Sequence, residues 1–74
     1  MSLAMLLPGC RAKVVALCGG QEFKRRLASM GILPGTELVL VRCGAAGPAI
    51  VEVRGSQFIL GRGLAQRVLV KRLP

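Results

Sequence analysis

The sequence predicts a mainly β domain, a small five-stranded and partly open barrel with one α-helix inserted after the first strand. Three observations lead to this fold class. Five short β-patterned runs are separated by glycine and proline turn signals, and one helical pattern lies between the first two runs. The 74 residues leave room for a single domain, residues 1–74, in which barrel closure would manage the edges of the sheet.

The first ten residues are predicted to form a short helical turn followed by a chain reversal. Ser2 is placed to cap a turn that ends near Leu6, and Pro8-Gly9 then redirects the chain into a strand at Arg11–Leu17. This opening segment has no basic leader and is too short for a membrane span, which needs about 20 apolar residues. We therefore expect a soluble, cytoplasmic protein.

The first predicted strand alternates in character. Ala12, Val14 and Ala16 share one face, and Arg11 and Lys13 share the other. Successive side chains of a strand point to opposite sides, so this alternation is typical of a sheet with one buried and one solvated face.

A helix is predicted to begin near Gln21. Phe23, Leu27 and Met30 fall at i, i+4 and i+7, so they share the face that points toward the core. Gly31 is placed to end the helix, because a left-handed conformation costs glycine no Cβ clash. Basic residues occupy the other faces: Lys24, Arg25 and Arg26.

A proline-glycine pair separates the helix from the second strand. Pro34-Gly35 suits the central positions of a type II turn, in which proline fixes the first φ and glycine supplies a positive second φ. The strand that follows is predicted at Glu37–Cys43, and residues 44–48 form a loop to the third strand.

The last three strands are predicted around a hairpin and a short helical turn. Residues 49–54 and 57–60 are β-patterned and are joined by Gly55-Ser56, which makes them antiparallel neighbours. Residues 61–65 resemble a single helical turn, and residues 68–71 form the fifth strand.

The composition offers little for catalysis or metal binding. Histidine is absent, and the only carboxylate side chains, Glu22, Glu37 and Glu52, fall on different predicted elements. The three cysteines are Cys10, Cys18 and Cys43. They are widely spaced and include no CxxC pair, so reduced structural thiols are expected rather than a disulfide framework or a zinc site. We assign no active site, metal ligand or cofactor, and we do not expect an enzyme.

Several of these elements occur in this order and spacing in one known family. They are residues 3–9 ending in Pro-Gly, Arg26-Leu27, Met30-Gly31, Pro34-Gly35, the hairpin residues 51–55, and the ending from Leu60 through Ala65 to Val68 and Val70. The chain resembles FeoA, the small cytosolic protein of bacterial ferrous-iron uptake, and the FeoA-type domain of diphtheria-toxin-repressor-type iron regulators. The resemblance covers nearly the whole chain and implies an SH3-like barrel.

The resemblance also implies an accessory role in iron(II) import, in which the chain binds the cytosolic part of FeoB, a membrane permease with a G-protein domain. The scattered cysteines and glutamates argue against a dedicated iron carrier, so partner binding is the better mechanism. The chain contains no helix-turn-helix half, which the regulator version of the domain would require.

One departure from the family pattern suggests an interface. Members often place charged or polar residues at positions that are apolar here and are predicted to face outward: Met5, Val39, Ile50, Ile59, Leu64 and Leu69. The inward set is Leu38, Leu40, Val51, Val53, Phe58, Leu60, Val68 and Val70. Contiguous outward apolar side chains favour self-association or docking of the permease, because burying each contributes roughly 1.5–3 kcal/mol. The alternative is a strand register displaced by one residue, which would make the outward set core positions.

The net charge of +8 favours binding of an acidic partner. A solvated basic surface, an acidic permease surface, an anionic membrane leaflet and nucleic acid are the alternatives. Nucleic acid is disfavoured, since the basic residues are dispersed and Phe23 and Phe58 both fall on predicted core faces, which leaves no stacking platform. A basic small-barrel nucleic-acid binder thus remains the second hypothesis. The candidate partner-binding residues are Lys24, Arg25, Arg26, Val39, Ile50, Ile59 and Leu64.

Overall fold

The fold is seen in a computed structural model, which describes residues 1–43 and 47–74. A 3₁₀ turn at Leu3–Met5 is followed by strand β1 at Arg11–Leu17, helix α1 at Gln21–Ala28 and strand β2 at Glu37–Cys43. Strands β3 at Ala49–Val53 and β4 at Ser56–Leu60, helix α2 at Arg62–Gln66 and strand β5 at Val68–Arg72 complete the order. Residues 44–46 of the predicted loop lie outside the described residues.

The five strands form one antiparallel sheet in the order β4-β3-β2-β1-β5. This arrangement confirms the mainly β prediction and the insertion of α1 after β1. The short helix α2 stands where a single helical turn was expected. Two β-bulges, one between Val14 and Ala16 and one between Leu40 and Arg42, interrupt the ladders. Bulges bend and twist a strand, which allows a small sheet to wrap around its core.

The core lies inside the curved sheet, and on β2 to β5 its strand residues follow the predicted alternation. Seven members of the predicted inward set are buried: Leu38, Leu40, Val51, Val53, Leu60, Val68 and Val70. Phe58, the remaining member, is half-buried and packs against the core. The predicted inward faces of these strands are therefore confirmed, and the alternative, in which a displacement by one residue exchanges the two faces, is wrong.

The bulge in β1 corrects the predicted face of that strand. Ala12 and Val14 are buried as expected, but the pairing shifts after Val14, so Ala16 is only half-buried and Leu17 packs against the core. Val15, the extra residue, is exposed. Strict alternation fails here because a bulge adds one residue to one strand and so exchanges the two faces.

Helix α1 ends in the left-handed glycine that the sequence predicted. Gly31 has a φ of +80°, its amide donates to the carbonyl of Ala28, and the amide of Ile32 donates to the carbonyl of Leu27 at 2.9 Å. These two bonds define a Schellman motif, in which Ile32 and Leu27 are also expected to make an apolar contact. Both of those side chains are fully buried. Met30, expected on the core face, is half-buried and packs against the core.

The Pro34-Gly35 turn is also as predicted. The amide of Thr36 donates to the carbonyl of Leu33 at 2.9 Å, and Gly35 has the positive φ of +94° that a type II turn needs at its third position. Two further bonds fasten this turn to β1: the Gly35 amide donates to the Val14 carbonyl at 2.7 Å, and the Val14 amide donates to the Thr36 carbonyl at 2.8 Å.

The hairpin turn lies one residue earlier than predicted. Val53 pairs with Ser56, so the two-residue loop is Arg54-Gly55 rather than Gly55-Ser56. Both loop residues have a positive φ, +52° and +84° respectively, as a type I′ turn requires. This turn fits the right-handed twist of the flanking strands, and the twist outweighs the cost of placing an arginine in the left-handed region.

The N-terminal segment pairs with the sheet and does not begin with a capped helical turn. Ser2 makes no side-chain capping bond, so the predicted cap is wrong. Instead, Ser2 forms a bridge with Leu69, and the Val70 amide donates to the Met1 carbonyl at 2.8 Å. The first two residues therefore lie along the outer edge of β5, which would otherwise expose unpaired backbone groups.

Candidate protein-interaction surface

The residues predicted to bind a partner fall on three parts of the molecule. Lys24, Arg25 and Arg26 are exposed on α1. Val39, Ile50 and Ile59 lie on the outer face of the sheet, because their strand neighbours on either side point into the core. Leu64 lies on α2.

Leu64 does not belong to the outer face. Its side chain is half-buried and packs against the core, because one side of the five-residue helix α2 faces the core. The prediction that Leu64 faces outward is therefore wrong. Leu69, which forms the bridge to Ser2, is half-buried, whereas Met5 is exposed on the 3₁₀ turn.

The outer face of β3 and β4 carries a small apolar patch. Ile50 and Ile59 are direct cross-strand partners, and Ile59 is 68% exposed. Val41, the extra residue of the β2 bulge, is exposed next to the pairing of Arg42 with Ile50. Val39 is flanked differently, since its partners are Glu52 on one side and Arg11 on the other. We call Val41, Ile50 and Ile59 the outer apolar patch.

A second apolar surface lies beside the basic helix. A groove of about 310 Å³ is lined by Val15, Ala16, Leu17, Lys24, Leu33 and Pro34. Val15 and Leu33 are 57% and 48% exposed, so two large apolar side chains lie open to water next to a lysine. We call this surface the basic groove.

The local structure explains why the groove forms. The β1 bulge exposes Val15, and the Schellman motif followed by the Pro34-Gly35 turn brings Leu33 to the same side. Because the Val14 backbone bonds to both Gly35 and Thr36, the turn and the bulge are held together. Backbone hydrogen bonds therefore fix the two segments that carry Val15 and Leu33 relative to each other.

The basic side chains of α1, of which Lys24 lines the groove, are available to a partner. Arg25 lies 3.8 Å from Glu22, but both side chains are exposed, so this ion pair contributes little. Within residues 1–43 and 47–74, neither Lys24 nor Arg26 forms an ion pair. An unpaired surface lysine next to an apolar groove is the arrangement that an acidic, partly apolar partner would recognise.

The sequence prediction identified Lys24 but missed Val15 and Leu33. Val15 follows Lys13 on the outward phase of the strand, so a survey of apolar residues at outward positions would have found it. Leu33 could be placed only once the path of the turn across β1 was known, because nothing in its local sequence says which surface it joins.

A third feature is an apolar groove of about 380 Å³ between the 3₁₀ turn and α2. Its exposed lining includes Met5, Leu7 and Arg62. Of the three cysteines, Cys43 lines this groove, whereas Cys10 and Cys18 do not. Among the described residues there is no group of three or more His, Cys, Asp or Glu side chains that could hold a metal ion.

Comparison with known proteins places this barrel in a family. Residues 1–72 match the FeoA domain family. The chain belongs to the FeoA family. FeoA proteins are accessory proteins of ferrous iron transport, so the broad role expected from the sequence is confirmed.

Individual relatives of this FeoA family member agree in sequence and in structure. A protein of Methanocaldococcus jannaschii, named as an Fe(2+) transport protein A, is 41% identical over 59 residues, which make up 80% of the chain and 67% of that protein. A crystal structure of the iron uptake regulatory protein FeoA superimposes with a TM-score of 0.94 at 37% identity, over 99% of the chain and 97% of that structure.

The SH3-like architecture is confirmed by a third FeoA. The zinc complex of Stenotrophomonas maltophilia FeoA, described as a prokaryotic SH3 domain protein, has a TM-score of 0.82 and 29% identity, over 96% of the chain and 89% of that protein. None of the helices in the described part of the chain is both long enough and apolar enough to span a membrane.

Proposed function

We propose that this FeoA family member acts on the cytoplasmic side of the membrane by binding the cytosolic part of a FeoB-like permease. Family membership supports the transport role. The observation that carries the mode of action is the basic groove, in which exposed Val15 and Leu33 lie beside Lys24. The chain reaches the membrane only through this partner.

The groove suits an amphipathic segment of the permease that presents apolar side chains with carboxylates beside them. Apolar side chains of the partner would cover Val15 and Leu33, and a carboxylate would meet Lys24. The charge contrast speeds the encounter and fixes the orientation, while burial of the apolar groups holds the complex together. Because hydrogen bonds already join the turn to β1, little ordering is needed on binding, which favours affinity.

The test is a titration of the purified cytosolic domain of the FeoB-like permease from the same genome, followed by calorimetry. Leu33→Glu and Lys24→Glu should each weaken binding about tenfold or more. Leu33→Glu would bury a charge in the complex, and Lys24→Glu would reverse a charge that complements the partner. The matched controls are Met5→Glu, an exposed apolar residue elsewhere, and Lys71→Glu, an exposed lysine on β5.

Two results would contradict the proposal. Equal weakening by the groove variants and their controls would show that only overall charge matters. Tight nucleic-acid binding with a steep salt dependence, and no permease complex at physiological salt, would favour the basic small-barrel alternative, because counterion release dominates such binding. The positions of the aromatic residues speak against that alternative, since Phe23 is buried and Phe58 is half-buried.

A further inference from the structure

The sheet has two edges, and the fold treats them differently. At β5, the outer edge is covered by the N-terminal segment through the bridge of Ser2 to Leu69 and the bond from the Val70 amide to Met1. At β4, the last strand on the other side, the described residues contain no strand that pairs with the outer edge. This edge is therefore a part of the described sheet where a strand could be added.

The register shows which backbone groups point away from the sheet. In a two-residue hairpin, the residues that flank the loop form a hydrogen-bonded pair, here Val53 with Ser56, and such pairs alternate along the ladder. Phe58 and Leu60 therefore bond to β3. The amide and carbonyl groups of Gln57 and Ile59 are directed outward, at the spacing that an added strand would use.

The packing at β4 points to a missing neighbour. Phe58 faces inward opposite the fully buried Val51, yet Phe58 itself remains only half-buried. Next to it, Ile59 is 68% exposed on the outer face. A strand laid along this edge would cover part of both side chains, one from each face of the sheet.

The charges at the two ends of β4 indicate the chemistry of the occupant. Arg54 precedes the strand, Arg62 follows it, both are exposed, and residues 56–60 carry no charge. A second copy of the chain fits poorly. The antiparallel pairing that sets Gln57 of one copy opposite Ile59 of the other would bring the hairpin-loop end of each β4, which carries Arg54, to the α2 end of the other, which carries Arg62. Like charges brought together at both ends are destabilising.

We propose that the outer edge of β4 binds an extended segment of another protein, which adds as a sixth strand and carries a carboxylate near each end. The backbone groups of Gln57 and Ile59 pair with the segment, and a side chain of the segment packs on Ile59. The carboxylates meet Arg54 and Arg62, in either strand direction. Strand addition of this kind derives its affinity from main-chain bonds and its specificity from side chains. The proposal is independent of the basic groove and of the permease.

The experiment measures amide hydrogen exchange by NMR on the isotope-labelled full chain. The probes are two blocked synthetic heptapeptides, Glu-Thr-Val-Thr-Val-Thr-Glu and the same sequence with lysine at both ends. Without peptide, the Gln57 and Ile59 amides should exchange about tenfold or more faster than the Phe58 amide, which is bonded to β3. At saturation the Glu-ended peptide should slow both amides by about tenfold or more, and the Lys-ended peptide should not.

Two pairs of variants test the backbone contact and the charge contact separately. Gln57→Pro removes only an outward amide, a position at which an edge strand tolerates proline, and should abolish peptide binding; Gln57→Thr should retain it. Arg62→Glu should weaken binding of the Glu-ended peptide, whereas Arg67→Glu, the same charge change at the far end of α2, should not.

Three outcomes would overturn the proposal. The first is no slowing at Gln57 and Ile59 with either peptide. The second is equal slowing with both peptides, which would remove the role of the arginines. The third is slowing that grows with protein concentration alone, which would make a second copy the occupant.

Discussion

The hydroxyl of Thr36 donates a hydrogen bond to the carbonyl oxygen of Gly31 over 3.2 Å. The same oxygen atom of Thr36 accepts a bond from the Leu33 amide at 3.1 Å. One side chain therefore links the end of helix α1 to the first residue of the Pro34-Gly35 turn. Because that turn bonds to Val14 of β1, Thr36 helps to position one wall of the basic groove.

Replacing Thr36 by valine should destabilise the chain by about 0.5–1.5 kcal/mol, because the isosteric side chain makes neither hydrogen bond. The measurement is urea unfolding followed by far-ultraviolet circular dichroism. Thr36→Ser is the matched control and should retain most of the stability, since it keeps the hydroxyl. Equal loss in both variants would show that the methyl group, and not the hydroxyl, matters at this position.

Gly31→Ala should lower the free energy of unfolding by roughly 1 kcal/mol or more. The cost comes from the φ of +80°, since an added Cβ would meet only Val53 Cγ1, at an ordinary contact distance of 4.0 Å. Gly63→Ala in helix α2 is the control. No described atom lies within 4 Å of its added Cβ, and alanine favours a helix, so it should be neutral or stabilising. An unchanged stability of Gly31→Ala would contradict the Schellman assignment.

Ile32 and Leu33 are neighbours in sequence with opposite environments. Ile32 is fully buried, whereas Leu33 is 48% exposed in the basic groove. Ile32→Ala should therefore cost about 2–5 kcal/mol, enough to unfold a marginal domain, while Leu33→Ala should cost no more than about 0.5 kcal/mol. Thermal unfolding of the two variants, run side by side, measures the difference. Similar melting temperatures would mean that Leu33 supports the core and is not a surface residue.

Arg54→Asn should stabilise the hairpin by about 0.5–1 kcal/mol. Arg54 has a φ of +52°, and asparagine followed by glycine is the preferred pair for a type I′ turn. Denaturant unfolding checks the effect, with Gln57→Asn on the exposed part of β4 as the control that should be neutral or destabilising. A destabilised Arg54→Asn would indicate that the arginine side chain makes contacts that outweigh its backbone strain.

The elements with strong local signals could be predicted from sequence. The bounds of β1, β2 and the start of α1 agree with the structure, as do the glycine stop and the Pro34-Gly35 turn, since each depends on residues close in sequence. The hairpin turn was misplaced by one residue because Arg54 gives no sequence sign of a positive φ. The inward faces of β2, β3 and β5 were correct, since a buried face imposes strict alternation.

The candidate surfaces were only partly predictable. Lys24 and the pair of Ile50 with Ile59 were identified from their pattern, and they are exposed or lie on the outer face as expected. Leu64 was assigned to the wrong side because a five-residue helix has too few turns to define a face. That the predicted residues bind a partner, or that the chain forms an oligomer through exposed apolar positions such as Ile50 and Ile59, remains a prediction.

The sequence by itself determined the fold class, the family, the Gly31 stop and the Pro34-Gly35 turn, because alternation, helix phase and left-handed glycines are local constraints that each residue type expresses directly. Only the tertiary structure decided the rest. It brought Leu33 beside Val15 and Lys24, converted the β1 bulge into a groove wall, and placed Met1 and Ser2 on the edge of β5 while leaving the edge of β4 open. These features depend on long-range strand pairing, and an added residue in one ladder changes which side chains meet without leaving a local signal in the sequence.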